Sequence, residues 1–377
     1  MPSRGTEGIA GNTTGNDEER VYVADDLRKY GYQSQSYNVL LPDKCYFRSS
    51  EGIEGVIAYV THAGVALAAG DPICDAADFT ALTVEFRRFC RKHHWHCCFQ
   101  AITERFEPVV KELGFGTIQI GEEAIFDLRV HAWAGGKFTY LRRDIRKAKK
   151  LGLQVIEYQP LLARRPDWEQ QMEELAQEWL KFKGSGELSF LIGQPHLEQP
   201  GDRKFLLTLK DDRVEAFVVC LPIYARNGIY FDIMRRKRKP IPGTSALLIY
   251  EAFELLKNQG YIMSTLGATP LSHEHLRNPR QWSVLETVMY VGMGKFGVFR
   301  NQRHLQDFKD QFGPTSWEPR YLAFSPPRFN PLILYVILRA YDPTGISGRL
   351  RRELSWAWQG IKLVAILPKL LEKMIDH

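Results

Sequence analysis

Residues 228–266 read GIYFDIMRRKRKPIPGTSALLIYEAFELLKNQGYIMSTL. Gly228–Asp232 is apolar and β-branched, which reads as a strand. A basic run follows at Arg235, Arg236, Lys237, Arg238 and Lys239, and then Pro242-Gly243-Thr244-Ser245. From Pro242 to Asn258 the apolar residues Leu247, Leu248, Tyr250, Phe253 and Leu256 fall at helical spacing, and Gly260 ends the helix. Tyr261–Leu266 is a second strand. The segment is therefore a strand-loop-helix-strand unit.

The same grammar runs through the first half. Gly55–Thr61 and Gly64–Ala69 read as strands, with Gly70-Asp71-Pro72 stopping the second. Phe79–His93 carries apolar residues at Phe79, Leu82, Phe86, Phe89 and Cys90 and reads as a helix, and Trp95–Ile102 as a strand. Phe106–Leu113, Thr139–Leu151 and Trp168–Lys181 read as helices, and Glu123–Leu128 and Val214–Leu221 as strands. The units at 64–102 and 228–266 agree in plan though not in identity, as a tandem duplication would leave them. The fold class expected is α/β (α+β), mixed sheets flanked by helices. The expected division is a disordered tail at 1–20, one domain at 21–160, a second at 161–325, and a basic amphipathic segment at 326–377. That last segment sets Leu, Ile, Val, Trp356 and Trp358 beside Arg349, Arg351, Arg352, Lys362, Lys369 and Lys373. It suits helices lying on an anionic membrane or helices packed on the protein core.

The chain has 377 residues, 44% hydrophobic and 25% charged, which excludes disorder of the whole and suits two or three domains. No apolar run approaches the ~20 residues of a membrane-spanning helix. The net charge of +6 is mild, but it is clustered. Lys137, Arg142, Arg143, Arg146, Lys147, Lys149 and Lys150 are opposed only by Asp144, and 235–239 is uninterrupted. Such clusters attract phosphate, RNA or acidic headgroups, and a solvated helix face is the plain alternative. Six cysteines without a C-x-x-C pair or a signal peptide suit a reduced, cytoplasmic protein. His93, His94, His96, Cys97 and Cys98 invite a metal, but alternation along a strand sends Cys97 away from His96 and Cys98, so no metal is expected.

No G-x-x-x-x-G-K-[ST], G-x-G-x-x-G after a strand, or G-x-S-x-G occurs, which argues against nucleotide hydrolysis, dinucleotide chemistry and the common hydrolase elbow. Gly243 and Thr244 stand where free N–H groups at a helix start would bind an anion. Acyltransferases of the N-acetyltransferase superfamily hold their donor's phosphates at such a junction. Their glycine-rich loop is missing here, which favours an acyl donor other than coenzyme A. Glu122 and Glu123 precede a strand and the basic helix. Their spacing fits either a functional pair or a solvated one.

Together these stretches resemble the catalytic region of the phosphatidylglycerol lysyltransferases, also called aminoacyl-phosphatidylglycerol synthases. The strings are YGYQSQSYNVLLPDKCYF (30–47), GDP (70–72), IGEEAIFDL (120–128) and LRRDIRKAKKLGLQV (141–155), then WLKFKGSGELSFLIG (179–193) and FDIMRR (231–236). LGATPLS (266–272), DFKDQFGP (307–314) and WEPRYLAF (317–324) complete the series in the family's order. The resemblance implies two tandem N-acetyltransferase-like domains that move an aminoacyl group from aminoacyl-tRNA to a hydroxyl of phosphatidylglycerol. It maps essential residues onto Asp232, Arg235 and Lys309. Asp232 would orient or deprotonate the hydroxyl, and Lys309 or Arg235 would steady the oxyanion. Arg142, Arg143, Arg146, Arg236, Arg238, Gly243 and Thr244 would meet tRNA phosphates. Glu122, Glu123, Ser272 and Arg320 are candidates for the substrate pocket. No cofactor is implied, since aminoacyl-tRNA is itself the activated co-substrate.

The sequence departs from the family in lacking its N-terminal bundle of membrane helices, in reading F-K-D-Q-F with Gln311 where a second lysine is common, and in a shorter segment after Gly193. Lipid would then be reached from the cytoplasm, as a peripheral protein at the inner face of the membrane, with the C-terminal tail as a contact. An acyl-CoA-dependent acyltransferase and a non-catalytic lipid- or RNA-binding module are the competing readings.

Overall fold

The computed structural model describes residues 17–183, 201–270, 272, 302–328 and 331–341. The first elements are α1 (Asp17–Tyr30), a 3-10 segment (Ser34–Leu40), β1 (Cys45–Phe47), β2 (Gly55–His62), β3 (Val65–Ala69) and β4 (Ile73–Cys74). There follow α2 (Phe79–Lys92), β5 (His96–Ile102), α3 (Glu107–Glu112), β6 (Gly116–Asp127), α4 (Thr139–Lys150), β7 (Gln154–Tyr158) and α5 (Pro166–Lys183). The rest are β8 (Lys204–Lys210), β9 (Arg213–Ile223), β10 (Gly228–Arg236), α6 (Thr244–Asn258), β11 (Met263–Pro270), α7 (Gln302–Asp310), β12 (Ser316–Ser325) and α8 (Pro331–Tyr341).

The strands form one mixed sheet in the order β1-β2-β3-β5-β12-β6-β11-β10-β9-β8-β7, with β4 added on β2. Its two parallel pairs are β3 with β5 and β10 with β11, the strands of the two units read from the sequence. Parallel strands need a crossover, and α2 and α6 provide it. The halves meet where β6 pairs with β11, and two further strands cross between them. β7 lies at the far edge beside β8, and β12 returns from near the end of the described chain to lie between β5 and β6. The sheet is therefore continuous across residue 160.

Alternation of side chains along the strands fills both faces. One face packs Val23 and Leu27 of α1, Tyr37 and Val39 of the 3-10 segment, Met172 and Leu175 of α5, and Ile333, Val336 and Ile337 of α8. The opposite face packs α2 and α3 over the first half, and α4 and α6 over the second. Cys97 is in the α2 layer and Cys98 on the opposite face, as strand alternation requires. Among the described residues no group of three His, Cys, Asp or Glu could hold a metal ion.

Several elements differ from the sequence expectation. α1 starts at Asp17, ahead of Val21, and its apolar residues Val23 and Leu27 pack against the sheet. Arg235 and Arg236, read as part of a basic loop, are still in strand β10, held by pairing to Phe217 and Ala216. β6 begins at Gly116, well before Glu123. α8 lays its apolar residues on the protein core, with His62 and Tyr335 in ring contact at 5.7 Å. The expectations for residues 1–16 and for the tail from 342 lie outside the described residues.

Candidate active site

β10 and β11 run side by side only from Gly228–Tyr230 and Met263–Thr265. Beyond that point β10 stays with β9 as far as Arg236, while β11 stays with β6 as far as Pro270. The two parallel strands therefore part at their C-terminal ends, the place where open α/β sheets bind ligands. Each also carries an irregularity there. The β10 register slips between Phe231 and Ile233, and the β11 register slips between Thr265 and Ala268. A bulge of this kind re-aims side chains. Tyr230 and Ile233, three apart, share the face of α5, whereas Phe231 faces α6. Asp232 is the residue at the slip, half-buried on the parting strand.

Arg235 follows on the same strand. Its guanidinium lies 3.7 Å from the centre of the Trp179 ring of α5 and donates to the Met234 carbonyl at 3.0 Å. Burial pushes it down to about 10, against the attraction of Asp232. Arg203 adds a second guanidinium acting on Asp232, and burial lowers it too. Its own guanidinium is 5.0 Å from the Tyr37 ring centre. A carboxylate between two partly desolvated cations is an arrangement suited to holding a polar substrate.

The opposite side of the opening is a buried polar network. Glu123 on β6, 1% exposed, accepts from Thr265 at 2.7 Å, from Ser34 at 3.0 Å and from Arg320 Nε at 2.8 Å. Arg320 also reaches Glu318, which pairs with Arg226 at 2.7 Å. Burial opposes the charge on Arg320, but Glu123 and Glu318 outweigh it and hold the guanidinium above its ordinary range. Burial likewise raises Glu318, yet Arg226 and Arg320 bring it below the usual carboxylate value. On the other face of β6, Glu122 accepts from Ser272 at 3.3 Å.

Lys309 enters from α7. Its Nζ donates to the Gly267 carbonyl at 2.7 Å, inside the irregular part of β11. Gly267 has φ +78, and a Cβ there would lie 2.8 Å from the Tyr230 ring. Only glycine lets the strand present this carbonyl while the ring stays in place. Burial pushes the Lys309 amine down to about 7, with Glu123 pulling the other way.

The structure therefore gathers Asp232, Arg235, Lys309, Glu123 and Arg320 about the parting strands, with Glu122 and Ser272 alongside. The basic residues fall elsewhere. Arg143 and Arg146 are exposed on the outer side of α4, whose inner side is Leu141, Ile145 and Ala148. Arg142 is turned inward, donating to the carbonyls of Trp133 and Gly135 at 2.8 and 2.9 Å. Gly243 packs its Cα against the Asp144 carbonyl of α4, and the buried Thr244 hydroxyl donates to Ile241 at 2.7 Å. Arg236 is exposed, and Arg238 lines a groove of about 690 Å³ between α5 and the start of β9, with Glu174, Glu178, Arg213, Lys237 and Lys239. Sequence reasoning missed Arg203, Trp179, Gly267, Thr265 and Ser34. The signal available was that Ser34, Trp179 and Gly267 lie within three of the strings quoted above.

The family model for phosphatidylglycerol lysyltransferase, C-terminal, matches residues 24–324. The phosphatidylglycerol lysyltransferase of Staphylococcus haemolyticus is 26% identical over 307 residues, which is 79% of this chain and 35% of that protein. The lysylphosphatidylglycerol biosynthesis bifunctional protein LysX of Gordonia bronchialis is 23% identical over 334 residues, 84% of this chain and 28% of that one. This chain thus spans about a third of the length of the curated relatives it matches. The solved structure of L-PGS from Bacillus licheniformis superposes with a TM-score of 0.72 at 23% identity, covering 89% of this chain and 99% of that one, and so shares the fold.

Proposed function

Since this chain belongs to the phosphatidylglycerol lysyltransferase C-terminal family, we propose that it moves an aminoacyl group, lysyl or similar, from aminoacyl-tRNA to a hydroxyl of phosphatidylglycerol. The observation that carries the reading is the opening between β10 and β11, with Asp232 and Arg235 on one side and Lys309 on the other. The aminoacyl ester is already activated, so the exchange of one ester for another needs no nucleotide and no further cofactor. Asp232 orients the attacking hydroxyl. Arg235, held over the Trp179 ring, faces the charge that develops on the carbonyl oxygen. The exposed cations of α4 and of 236–239 supply the electrostatic attraction for RNA phosphates and for an anionic bilayer.

No helix among the described residues is long and apolar enough to cross a membrane. We propose separately that lipid is met from the cytoplasmic side by peripheral contact, with the basic, Trp-bearing tail beyond 341 as a candidate contact.

The test is transfer of label. Purified protein is incubated with radiolabelled aminoacyl-tRNAs and phosphatidylglycerol liposomes, and the lipid is extracted. Label in the lipid is the expected result, and single amino acids then identify the donor. Label leaving tRNA without entering lipid redirects the acceptor to a soluble hydroxyl or amine. Charged tRNA left intact, with tight binding of coenzyme A, would replace this reading with acyl-CoA chemistry.

A further inference from the structure

Lys309 is 2% exposed, and its single hydrogen bond among the described residues is the one to Gly267. An ammonium has three donors to satisfy and a charge to neutralise. Among the described residues, the surrounding charges are engaged with one another. Glu123, the carboxylate that acts on it, has Oε1 taken by Thr265 and Oε2 by Ser34 and Arg320. Glu123, Arg320, Glu318 and Arg226 form a chain of alternating sign that balances by itself. Glu122 is bonded by Ser272. Asp232 is engaged by Arg235 along β10 and by Arg203. His304, Asp307 and Asp310 of the same helix are exposed to water. Among the described groups, a proton on Lys309 would therefore add a charge with no counter-ion of its own.

We propose that Lys309 works as an uncharged amine, the base that takes the proton of the attacking hydroxyl and returns it to the departing ribose oxygen. The proposal rests on the transfer reading above. The Gly267 carbonyl accepts one amine hydrogen and so fixes the ring of directions left to the nitrogen lone pair. As the lipid oxygen bonds to the ester carbon, its proton passes to Lys309 Nζ. As the bond from that carbon to the tRNA ribose breaks, the same proton passes to the ribose oxygen. One C–O bond forms and one breaks, the amine ends as it began, and no oxidant or reductant enters. A base whose affinity for the proton matches the working pH is the most effective one, and the downward push on this amine to about 7 agrees with that.

Two measurements test this. The first is independent of transfer. The protein is labelled with lysine carrying ¹³C at Cε, and the Lys309 resonance is identified by its absence in Lys309→Met, a change that removes no charge partner from a neighbour. A midpoint near 7 is expected, moving lower in Glu123→Gln. A resonance that stays that of an ammonium through pH 9 overturns the proposal whatever the assays show. The second is the pH profile of kcat. It should rise through neutral pH, and Lys309→Arg should lose about 100- to 10,000-fold at every pH. Lys309→Ala should recover activity with added primary amines, in proportion to their basicity. A profile that falls through neutral pH, with partial activity in Lys309→Arg, would assign the residue to oxyanion stabilisation. Titration near 7 with no transfer to lipid at any pH would remove the transfer reading and the base role with it.

Discussion

The two parallel units of the sheet have the same plan and opposite fates. β3 and β5 pair in unbroken register, Val65–Ala69 against His96–Gln100, and a latch closes their ends. Asp71 accepts from Thr103 through both N–H and hydroxyl, at 2.8 and 2.6 Å, and the Gln33 side chain accepts from the Asp71 N–H at 3.2 Å. The core beneath is a phenylalanine cluster of Phe86, Phe99 and Phe106, with ring centroids 5.7 and 5.2 Å apart. β10 and β11 lose their pairing after Tyr230 and Thr265, and charged side chains stand where the latch would be. A parallel βαβ unit thus becomes a site where its strands stop bonding and the freed space is left to polar groups.

That contrast is broken most sharply by exchanging the two aspartates for asparagine. Asp232→Asn should cost about 100- to 10,000-fold in transfer, the span of one acid–base or orienting group, with the urea midpoint unchanged. Asp71→Asn should leave kcat within a factor of about two and cost about 1–3 kcal/mol of stability in urea unfolding, from orphaned donors. The reverse pattern would place the chemistry in the closed unit.

Arg320→Met strands Glu123 and Glu318 in the interior. Breaking such a buried pair typically costs about 3–5 kcal/mol, readable as a large drop in melting temperature. Gly267→Ala forces a methyl against Tyr230 at positive φ. It should cost about 1–2 kcal/mol and reduce transfer by displacing the carbonyl that holds Lys309. A glycine-to-alanine change at Gly64, whose Cβ would meet no atom within 4 Å, should leave transfer as it is.

The smallest effect separates the two cores by pH. His131 is packed against Phe126 and Trp133 at 5.5 and 4.6 Å, and burial pushes it from 6.5 to about 4. A histidine depressed in the folded state contributes stability above pH 6.5 that is lost as pH falls toward 4. Allowing for its partial exposure, the loss is on the order of 1 kcal/mol. His131→Phe should flatten that acid limb in urea titrations between pH 7 and 4. An unchanged slope would show that the ring titrates normally.

Much of this was legible in the chain itself. The helix Phe79–Lys92 and the strands of both parallel units follow from local spacing, because burying one face imposes a period that the residues must carry. Asp232, Arg235 and Lys309 were legible through the family strings. β12 was not read from the pattern, because its run SWEPRYLAFS sets Pro319, Arg320 and Glu318 inside a strand. Those polar groups are tolerated only because Glu123 and Arg226 receive them. Arg203 and Trp179 carry no local pattern either. They lie 25 or more positions from the strand they serve.

The sequence by itself determined the helices and strands of the two parallel units, the α/β class, the repeated unit and the family, all set by short-range periodicity and by strings of identity. Only the tertiary structure decided which unit opens, that β12 returns between β5 and β6, and that Glu123 is shared between Arg320 and Lys309, too weakly at Lys309 to offset its burial. Strand pairing and burial of charge depend on partners far apart in the chain. Whether a lysine is an ammonium or an amine is settled by the groups folded around it.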